Sequence, residues 1–455
     1  MELKRSLSLL DSVSLMFSSM VGSGVFFTTG FILNHVENPW LVIFCWVLGG
    51  VFAVIGALTY SMPAVIFPQA GGDYVYLKNA YHPMIAFMSG WAALTITFSA
   101  SISVIGMAFS KHLFFIFPNL DIEPFLHAKF AGLSFTFGPI QIIGVLLIGL
   151  FTFFNYFGIR RAILVQNTLT FVKVTGFIFL ILAGFMWGNR NFEYFAKYSL
   201  FPDIFQNWNS ILLGVVPVTF SYYGWNMITY VAGEVKQPNK VIPLSILISC
   251  VLVLVLYVLL NILFMSSAPL SELKSQEGAG VISAVYLFGP SVKVLISGFI
   301  CWILLGSMSA MIIGGSRIYY AMSIDGLFFK TLKNLHPKYH TPYKALIFQA
   351  FYSSIFMFVR ELESLLYLIT VSILFLSSMT AFTPYVLAKK NYVSEYKIPG
   401  YPITPLLFIL FNFLVIGILT YNKPSETLWG LCIVLTSIPV YFMFKGTFTK
   451  KNNGN

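Results

Sequence analysis

The sequence has few charged residues. Asp, Glu, Lys and Arg make up 9% of the 455 residues, whereas they make up about 25% of an ordinary soluble domain. Hydrophobic residues make up 58% of the chain and aromatic residues 17%. A soluble protein of this composition would expose far too much hydrocarbon to water. The composition therefore excludes a soluble globular or disordered chain and indicates a protein embedded in a lipid bilayer.

The sequence also lacks the motifs of metal and cofactor sites. Its four cysteines all lie inside long apolar runs without a CxxC pair, so we expect buried packing residues there rather than disulfides or zinc ligands. No HExxH pattern and no GxxxxGK[ST] phosphate loop occurs. The sequence therefore predicts no enzyme, no cofactor, no metal and no ATP-driven pump. A channel is disfavoured because no repeated filter motif is present.

Long apolar runs are what the sequence does contain. A helix needs about 20 residues to cross a hydrocarbon layer about 30 Å thick. Twelve runs, numbered here in chain order, reach roughly that length: 12–33, 40–66, 84–109, 139–157, 164–187, 210–232, 242–265, 288–320, 344–359, 364–388, 403–421 and 427–445. The predicted fold class is an all-α integral membrane protein with twelve transmembrane helices.

The basic residues predict how the chain is oriented. Twelve crossings leave both termini on one side, and 18 of the 27 Lys and Arg residues fall on that side, against eight on the other. Loops rich in Lys and Arg stay in the cytoplasm. We therefore expect a multi-pass protein of the cell membrane, plasma or inner, with both termini cytoplasmic. The net charge of +11 then requires no nucleic-acid partner.

The spacing of the runs suggests an internal repeat. The centres of runs 1–5 and of runs 6–10 are offset by about 200 residues. Because five is odd, a second copy would enter the membrane upside down; chance alignment of similar runs is the alternative. The predicted domains are a first repeat at 1–190, an inverted second repeat at 205–390, two further helices at 400–446 and a short polar cytoplasmic tail at 447–455.

The first run of each predicted repeat carries glycine near its middle. Run 1 contains Gly22-Ser23-Gly24, and run 6 contains Gly224. Glycine weakens a helix by about 1 kcal/mol relative to alanine, so we expect both helices to be unwound at the midplane. The exposed amides and carbonyls would suit the carboxylate and ammonium of an α-amino acid. Packing points between helices are the alternative, but glycine at corresponding positions in both runs favours a binding site.

Several motifs occur in one characteristic order. Besides Gly22-Ser23-Gly24 and Phe220–Asn226, they are Trp46–Gly50, Phe67–Leu77, Asn155–Arg160, Gly233–Pro238 and His336–Pro342. In this order the chain resembles the L-type amino acid transporter (LAT) family of the amino acid-polyamine-organocation (APC) superfamily, as a bacterial-type member. The resemblance implies a LeuT-like 5+5 inverted repeat plus two helices, and sodium-independent amino acid transport by alternating access, usually as exchange.

The resemblance also implies which residues bind substrate. They are Met20, Val21, Gly22, Ser23 and Gly24 of run 1, and Phe220, Ser221, Tyr223, Trp225 and Asn226 of run 6. Phe220 would be the outer aromatic gate. Tyr223 stands where members with large substrates can have glycine, so an inward-pointing Tyr223 would favour smaller substrates. The chain departs from many relatives at Ser61-Met62-Pro63, where they have a glutamate, and at Ser309-Ala310.

Lys173 lies in the middle of run 5. An ammonium at the bilayer centre costs about 2.5 to 3.5 kcal/mol on insertion scales, and Lys173 lies about ten residues from either end of its run, too far to reach an interface. The resemblance places it where sodium-coupled relatives bind a cation between runs 1 and 8. It would act there as a tethered cation in an exchanger. The alternative is a proton carrier in a proton-coupled importer.

The remaining charges predict the substrate and the partners. No other acid or base falls in the predicted midplane, and Asp11 and Glu234 are expected at solvated helix ends. A cationic substrate would meet no counter-charge, so neutral L-amino acids are predicted. Animal relatives are often disulfide-linked to a heavy subunit through a cysteine between runs 3 and 4. Residues 110–138 contain none, so no such link is expected.

Overall fold

The computed structural model describes residues 3–130, 133–201, 203–274, 278–359 and 362–452. Its first half contains the helices α1 (Leu9–Met20), α2 (Gly24–Leu33), α3 (Pro39–Ile66), α4 (Asp73–Ala80), α5 (Pro83–Ala92), α6 (Ser99–Ile116), α7 (Pro139–Tyr156), α8 (Ile159–Trp187), α9 (Glu193–Ala196) and α10 (Asp203–Gln206). A π-helical turn, Ala93–Thr97, joins α5 to α6.

The second half is also helical. Its helices are α11 (Trp208–Tyr222), α12 (Met227–Tyr230), α13 (Pro238–Ser267), α14 (Leu270–Leu273), α15 (Ala279–Phe288), α16 (Val292–Ile324), α17 (Tyr343–Val359), α18 (Leu362–Ala381), α19 (Thr383–Lys389), α20 (Ile403–Asn422), α21 (Pro424–Leu435) and α22 (Ser437–Asn452). Short 3-10 turns lie at Pro118–Leu120, Ala232–Glu234 and Lys330–Lys333.

One small sheet departs from the all-α prediction. Strands β1 (Leu126–Phe130) and β2 (Leu133–Phe137) pair antiparallel, with Leu126 opposite Phe137. They lie in the segment between runs 3 and 4, so the hairpin does not interrupt the helical membrane part.

Ten helical segments among the described residues are long and apolar enough to cross a membrane. Two of the twelve predicted runs, 210–232 and 344–359, are not among these ten. The first is divided, so that α11 has 15 residues, and α17, in the second, has 17. The membrane character is confirmed, whereas the twelve spans and the inverted repeat stay predictions.

Local sequence explains where the long helices begin. Ser8 and Asp11 form a capping box at the start of α1, with Ser8 N donating to Asp11 Oδ2 at 2.8 Å. The side chain of Asn38 caps α3 by accepting from Trp40 N at 2.9 Å. Proline opens α7 and α13 at the first helical position, where its missing N–H costs no hydrogen bond.

The helices α1 and α11 pack among the long helices of the chain. The helix α1 contacts α8, α13 and α16, and α11 contacts α2 and α3. Of the four cysteines predicted to be buried, Cys45, Cys250 and Cys301 are buried, but Cys432 is exposed, because it lies on the outer side of α21. The helix α22 extends to Asn452, so residues 447–452 of the predicted polar tail are helical. Residues 453–455 lie outside the described residues.

Candidate functional site

The first broken helix is the pair α1 and α2. The helix α1 ends at Met20, Val21 takes an extended conformation (φ −87°, ψ 92°) and α2 begins at Gly24. The interruption therefore spans residues 21–23. The last carbonyls of α1 and the first amides of α2 lack partners within the helix, and other groups must satisfy them.

The second broken helix is the pair α11 and α12. The helix α11 ends at Tyr222, Tyr223 is extended (φ −61°, ψ 149°) and α12 begins at Met227. Gly224 has φ +105°, a conformation that other residues adopt only with strain. The glycine permits the chain to turn here, so both runs are interrupted at their glycine-bearing segments.

The two interruptions lie against each other. The hydroxyl of Ser19 donates to Gly224 O at 2.8 Å, and a Cβ added at Gly224 would lie 2.7 Å from Ser19 O. The hydroxyl of Tyr257, on α13, is within hydrogen-bonding distance of Met20 O (3.0 Å) and Ser221 O (3.1 Å). Tyr257 thus links carbonyls at the ends of α1 and α11.

A cavity of about 90 Å³ lies beside the two interruptions. Four helical elements supply its walls. The lining residues are Ser19, Met20, Gly22, Ser23 and Gly24 from the first broken helix; Phe220, Ser221 and Tyr223 from the second; Ser101, Val104, Ile105 and Ala108 from α6; and Leu304, Ser307 and Met311 from α16. None of these lining residues has a charged side chain.

Lys173 reaches the interruption of the first helix from α8. Its side chain is 0% exposed. The Nζ atom donates to Val21 O at 2.8 Å and Ser18 O at 3.2 Å, and lies 3.4 Å from Ser307 Oγ. A charged lysine carries three N–H donors, and these three oxygens match that number. The ammonium therefore satisfies carbonyls that the break leaves without helical partners.

Ser307 and Gly306 complete the surroundings of this ammonium. The hydroxyl of Ser307 lies 3.0 Å from Ser18 O and 3.2 Å from Val21 O. A Cβ at Gly306 would lie 2.7 Å from Ser18 Oγ and 3.2 Å from Lys173 Nζ. Glycine at this position of α16 therefore leaves room for the lysine.

Seven of the ten predicted substrate residues line the cavity, and three are placed differently. Val21 is buried and presents its carbonyl to Lys173. Trp225 packs edge-on against Tyr60 and Phe408, with ring centroids 4.7 and 5.6 Å apart. It lines a separate cavity of about 40 Å³. Asn226 lies on the other side of Tyr223 and contacts Asp73.

Sequence reasoning missed the residues that α6, α13 and α16 contribute. Ser101, Val104, Ile105 and Ala108 follow the i, i+3, i+4, i+7 spacing of one helix face, a signal that was available. In the largely apolar run 3, however, that face did not stand out. Ser307 and Tyr257 carried no comparable signal, because isolated polar residues are scattered through most runs.

Two buried acids correct the expectation about charge. Glu234 was expected to be solvated, but it is 1% exposed and forms a bidentate pair with Arg317, with N–O distances of 3.1 and 3.2 Å. Its carbonyl also accepts from Ser6 N and Leu7 N. Asp73 is 6% exposed. Tertiary packing buries both acids at the predicted cytoplasmic end, which their local sequence does not indicate.

Comparison with known families fits this arrangement. A family model described as amino acid permease matches residues 7–444. The chain belongs to the amino acid permease family. The match covers both broken helices, Lys173 and the cavity. This permease is therefore a multi-pass membrane transporter of amino acids rather than an enzyme.

The permease is similar to several curated transporters over nearly its whole length. It is 27% identical to the human cystine/glutamate transporter over 451 residues, covering 97% of this chain and 86% of the relative. It is 26% identical to the serine/threonine exchanger SteT of Bacillus subtilis, covering 97% of each chain. It is also 26% identical to the rat large neutral amino acids transporter small subunit 2, covering 97% and 81%. These relatives support membership of the LAT type within the APC superfamily.

Proposed function

We propose that this permease exchanges neutral L-amino acids across the cell membrane by alternating access and without sodium. The observation that carries the proposal is the contact of Lys173 Nζ with the freed carbonyls of Ser18 and Val21. A bound metal cation would stabilise such carbonyls in the same way. A lysine does so as part of the chain, so no ion has to bind or leave with substrate.

The polar ends of the broken helices suit the two charges of an amino acid. The start of α2 offers amides beside Gly22, Ser23 and Gly24, where a carboxylate is favoured. The carbonyl ends of α1 and α11 are also the negative ends of the helix dipoles, which favour an ammonium, although Lys173 and Tyr257 already bind the carbonyls of Ser18, Val21, Met20 and Ser221. The cavity lining adds hydroxyls from Ser101 and Ser221 but no charged side chain. A neutral side chain fits this lining without an unpaired charge.

The size of the cavity favours small substrates. Tyr223 and Phe220 both line it, and its volume is about 90 Å³. The tyrosine occupies space that a glycine would leave open. Among neutral amino acids, those with short side chains therefore fit best, and the name of the serine/threonine exchanger relative is compatible with this class.

The alternative mechanism, in which Lys173 carries a proton, fits the contacts less well. A neutral amine can still donate its two hydrogens to the carbonyls of Ser18 and Val21, but these bonds lose the added strength that a charged donor gives them. A permanently charged lysine meets this geometry better. We also propose that both termini are cytoplasmic and that no disulfide-linked heavy subunit is needed, because 110–138 contain no cysteine.

Counterflow in proteoliposomes tests the exchange mechanism. Labelled serine, alanine, leucine or lysine is added outside, with unlabelled substrate inside or with empty vesicles. We expect rapid uptake of the small neutral amino acids only when substrate is present inside, and no concentration of label in empty vesicles under an imposed pH gradient. Accumulation that follows the pH gradient in empty vesicles would contradict exchange and support the proton-coupled importer.

A further inference from the structure

A second buried ionisable group lies beside a small cavity that neighbours the proposed substrate cavity. Asp73 opens α4, in the segment between the spanning helices Pro39–Ile66 and Pro83–Ile116. Its carboxyl lines a cavity of about 20 Å³ together with Tyr223, Asn226 and Tyr230. Tyr223 also lines the substrate cavity. The two cavities therefore share one side chain of the second broken helix.

The two carboxyl oxygens of Asp73 have different surroundings. Oδ2 accepts from the Tyr230 hydroxyl at 2.5 Å and from Asn226 Nδ2 at 3.4 Å. Oδ1 is buried and makes no direct hydrogen bond, although the hydroxyls of Tyr60 and Thr380 lie close enough to the carboxyl to affect its pKa. An ionised carboxylate accepts at both oxygens, whereas a protonated one carries a hydrogen on one of them. The surroundings of the carboxyl are hydroxyl and amide groups without a positive charge, which favours the protonated form of a buried acid.

Such a proton would have an acceptor on the same cavity wall. Asn226 Oδ1 is also buried without a donor, and Asn226 lines the same cavity as Asp73. A cavity of this volume holds about one water molecule. A water in this cavity would have the carboxyl of Asp73 and the amide oxygen of Asn226 among its polar neighbours.

Basic side chains nearby pair with other acids. Within the described ranges, Lys78 forms an ion pair with Asp325 at 2.8 Å and Arg317 pairs with Glu234.

The titratable groups that face Asp73 are all tyrosines: Tyr60 of α3, Tyr76 of α4, and Tyr223 and Tyr230 of the second broken helix. Thr380 of α18 adds a hydroxyl. Burial raises the pKa of the Asp73 carboxyl, and hydrogen bonds from the hydroxyls of Tyr230, Tyr60 and Thr380 oppose that rise in part.

The residues that bind Asp73 lie in and beside a short helix, which can move more easily than a long one. Tyr230 ends α12, which has only four residues, and Asn226 precedes it. The cavity is also lined by Ala93 and Thr97 of the π-helical turn between α5 and α6. Such turns weaken regular helix bonding and are frequent at functional sites.

We propose that Asp73 is a proton-binding site, and that its proton, taken from and returned to the cytoplasmic side, stabilises a closed state of that side in which α12 packs against the buried carboxyl as it does here. This inference rests on the proposed transport function and adds its regulation. When the cytoplasmic side opens, water reaches the carboxyl, which then releases its proton. Because the proton returns to the side it came from, cytoplasmic pH sets the rate of exchange without driving it.

The sign of the pH effect follows from the two states. The closed state holds the proton more tightly than the hydrated open state, so acidic pH stabilises the closed state. As the pH rises through the raised pKa of the closed state, that advantage is lost and opening becomes easier. With one proton involved, the closed-to-open ratio changes by at most about tenfold per pH unit. Exchange should therefore speed up as pH rises.

The Asp73→Asn variant tests this assignment. An asparagine can place its carbonyl oxygen towards Tyr230 and Asn226 and its NH₂ where the protonated oxygen lies, so it mimics the protonated acid permanently. Exchange of labelled serine is measured at equal pH on both sides, at a series of values around neutrality. The matched control is Asp325→Asn, which removes a neighbouring acid that is already ion-paired with Lys78 and 25% exposed.

We expect exchange by the natural protein and by Asp325→Asn to rise about threefold or more over the range, as one titrating proton allows. Asp73→Asn should exchange slowly, near the acidic limit of the natural protein, without a pH response. A pH response in Asp73→Asn equal to that of the natural protein would overturn the proposal. So would a sodium requirement of the natural protein that Asp73→Asn abolishes, because Asp73 would then be a sodium ligand.

A second readout does not depend on transport. Infrared difference spectra of the purified protein should show the carbonyl stretch of a protonated carboxylic acid at neutral pH. The band should be absent in Asp73→Asn and present in Asp325→Asn. If the band behaves as expected but amino acids do not exchange at any pH, the proposed function fails while the proton site stands. A spectrum of Asp73→Asn that retains the band would overturn the site.

Discussion

One helix interruption in this permease meets a basic side chain, and the other meets an acidic one. The break between α1 and α2 presents carbonyls to the ammonium of Lys173. The break between α11 and α12 leads to a segment that donates hydrogen bonds to the carboxyl of Asp73. Both side chains are buried, and no ion pair joins either of them to another residue in the described parts of the chain.

The two sites differ in how readily the side chain gains or loses a proton. Lys173 has three oxygens for its three donors, so its charge is stabilised where it lies. Asp73 is buried among hydroxyl and amide groups with no positive charge against it in the described residues, so its neutral form is favoured. The first break is thus held by a fixed cation, and the second is coupled to a group that can titrate. Substitutions at each break can separate these roles.

The largest effect is expected from Lys173→Ala. The substitution removes the charged donor from the carbonyls of Ser18 and Val21, and the single hydrogen of the Ser307 hydroxyl can serve only one of them. The carbonyl left without a donor costs about 1 to 3 kcal/mol. We expect exchange to fall about a hundredfold or more. Proteoliposome exchange measures it, with Thr175→Ala on the exposed side of α8 as the control. Near-normal exchange by Lys173→Ala, at equal expression, would refute the role of the ammonium.

Gly224→Ala should slow exchange strongly, but less than Lys173→Ala. The new Cβ would lie 2.7 Å from Ser19 O, at a residue with φ +105°, and strain of this kind costs about 1 to 3 kcal/mol. The contact between the two breaks should be displaced, slowing exchange about thirtyfold. Transport and thermal stability are measured beside Gly417→Ala, where a Cβ meets nothing within 4 Å. Equal behaviour of the two variants would show that the breaks need not touch.

Tyr257→Phe should have an intermediate effect. It removes a hydroxyl that lies 3.0 and 3.1 Å from one carbonyl of each broken helix. Leaving such a buried carbonyl without its donor costs about 1 to 3 kcal/mol, so exchange should slow about tenfold. Tyr286→Phe, at a tyrosine that is 42% exposed, controls for loss of a hydroxyl. Unchanged exchange by Tyr257→Phe would mean that this link between the breaks is dispensable.

The smallest effect is expected from Ser307→Ala. It removes one of three oxygens near Lys173 Nζ, the one at 3.4 Å, while both backbone carbonyls remain. A typical hydrogen bond contributes about 1 kcal/mol, which corresponds to an approximately fivefold slower exchange. Ser354→Ala, whose hydroxyl donates to Ala350 O in its own helix, is the matched control. A loss as large as that of Lys173→Ala would assign the main role to Ser307 instead.

The sequence predicted the membrane helices and the location of both interruptions. Apolar runs and paired glycines are local signals, and they identified Gly22, Gly24 and Gly224. Lys173 was found because a lone lysine in an apolar run is conspicuous. Each of these features is visible within a short stretch of sequence, without knowledge of which helices pack together.

The partners across the site could not be predicted in the same way. In α16, nearly every residue from Ile303 to Ser323 is buried, so no periodic pattern marks the face that carries Ser307. Asp73 begins a helix after a loop and Glu234 lies at a helix end, positions that usually reach water, and only tertiary packing buries them. Identifying these contacts required the arrangement of helices that are distant in sequence.

Replacing sodium during exchange tests the central claim most directly, because that claim makes Lys173 the cation of the first break. Exchange of labelled for unlabelled serine is measured in proteoliposomes at constant pH, with sodium or with choline as the only monovalent cation on both sides. We predict equal initial rates in the two media for the natural protein. A rate that requires sodium would contradict the account.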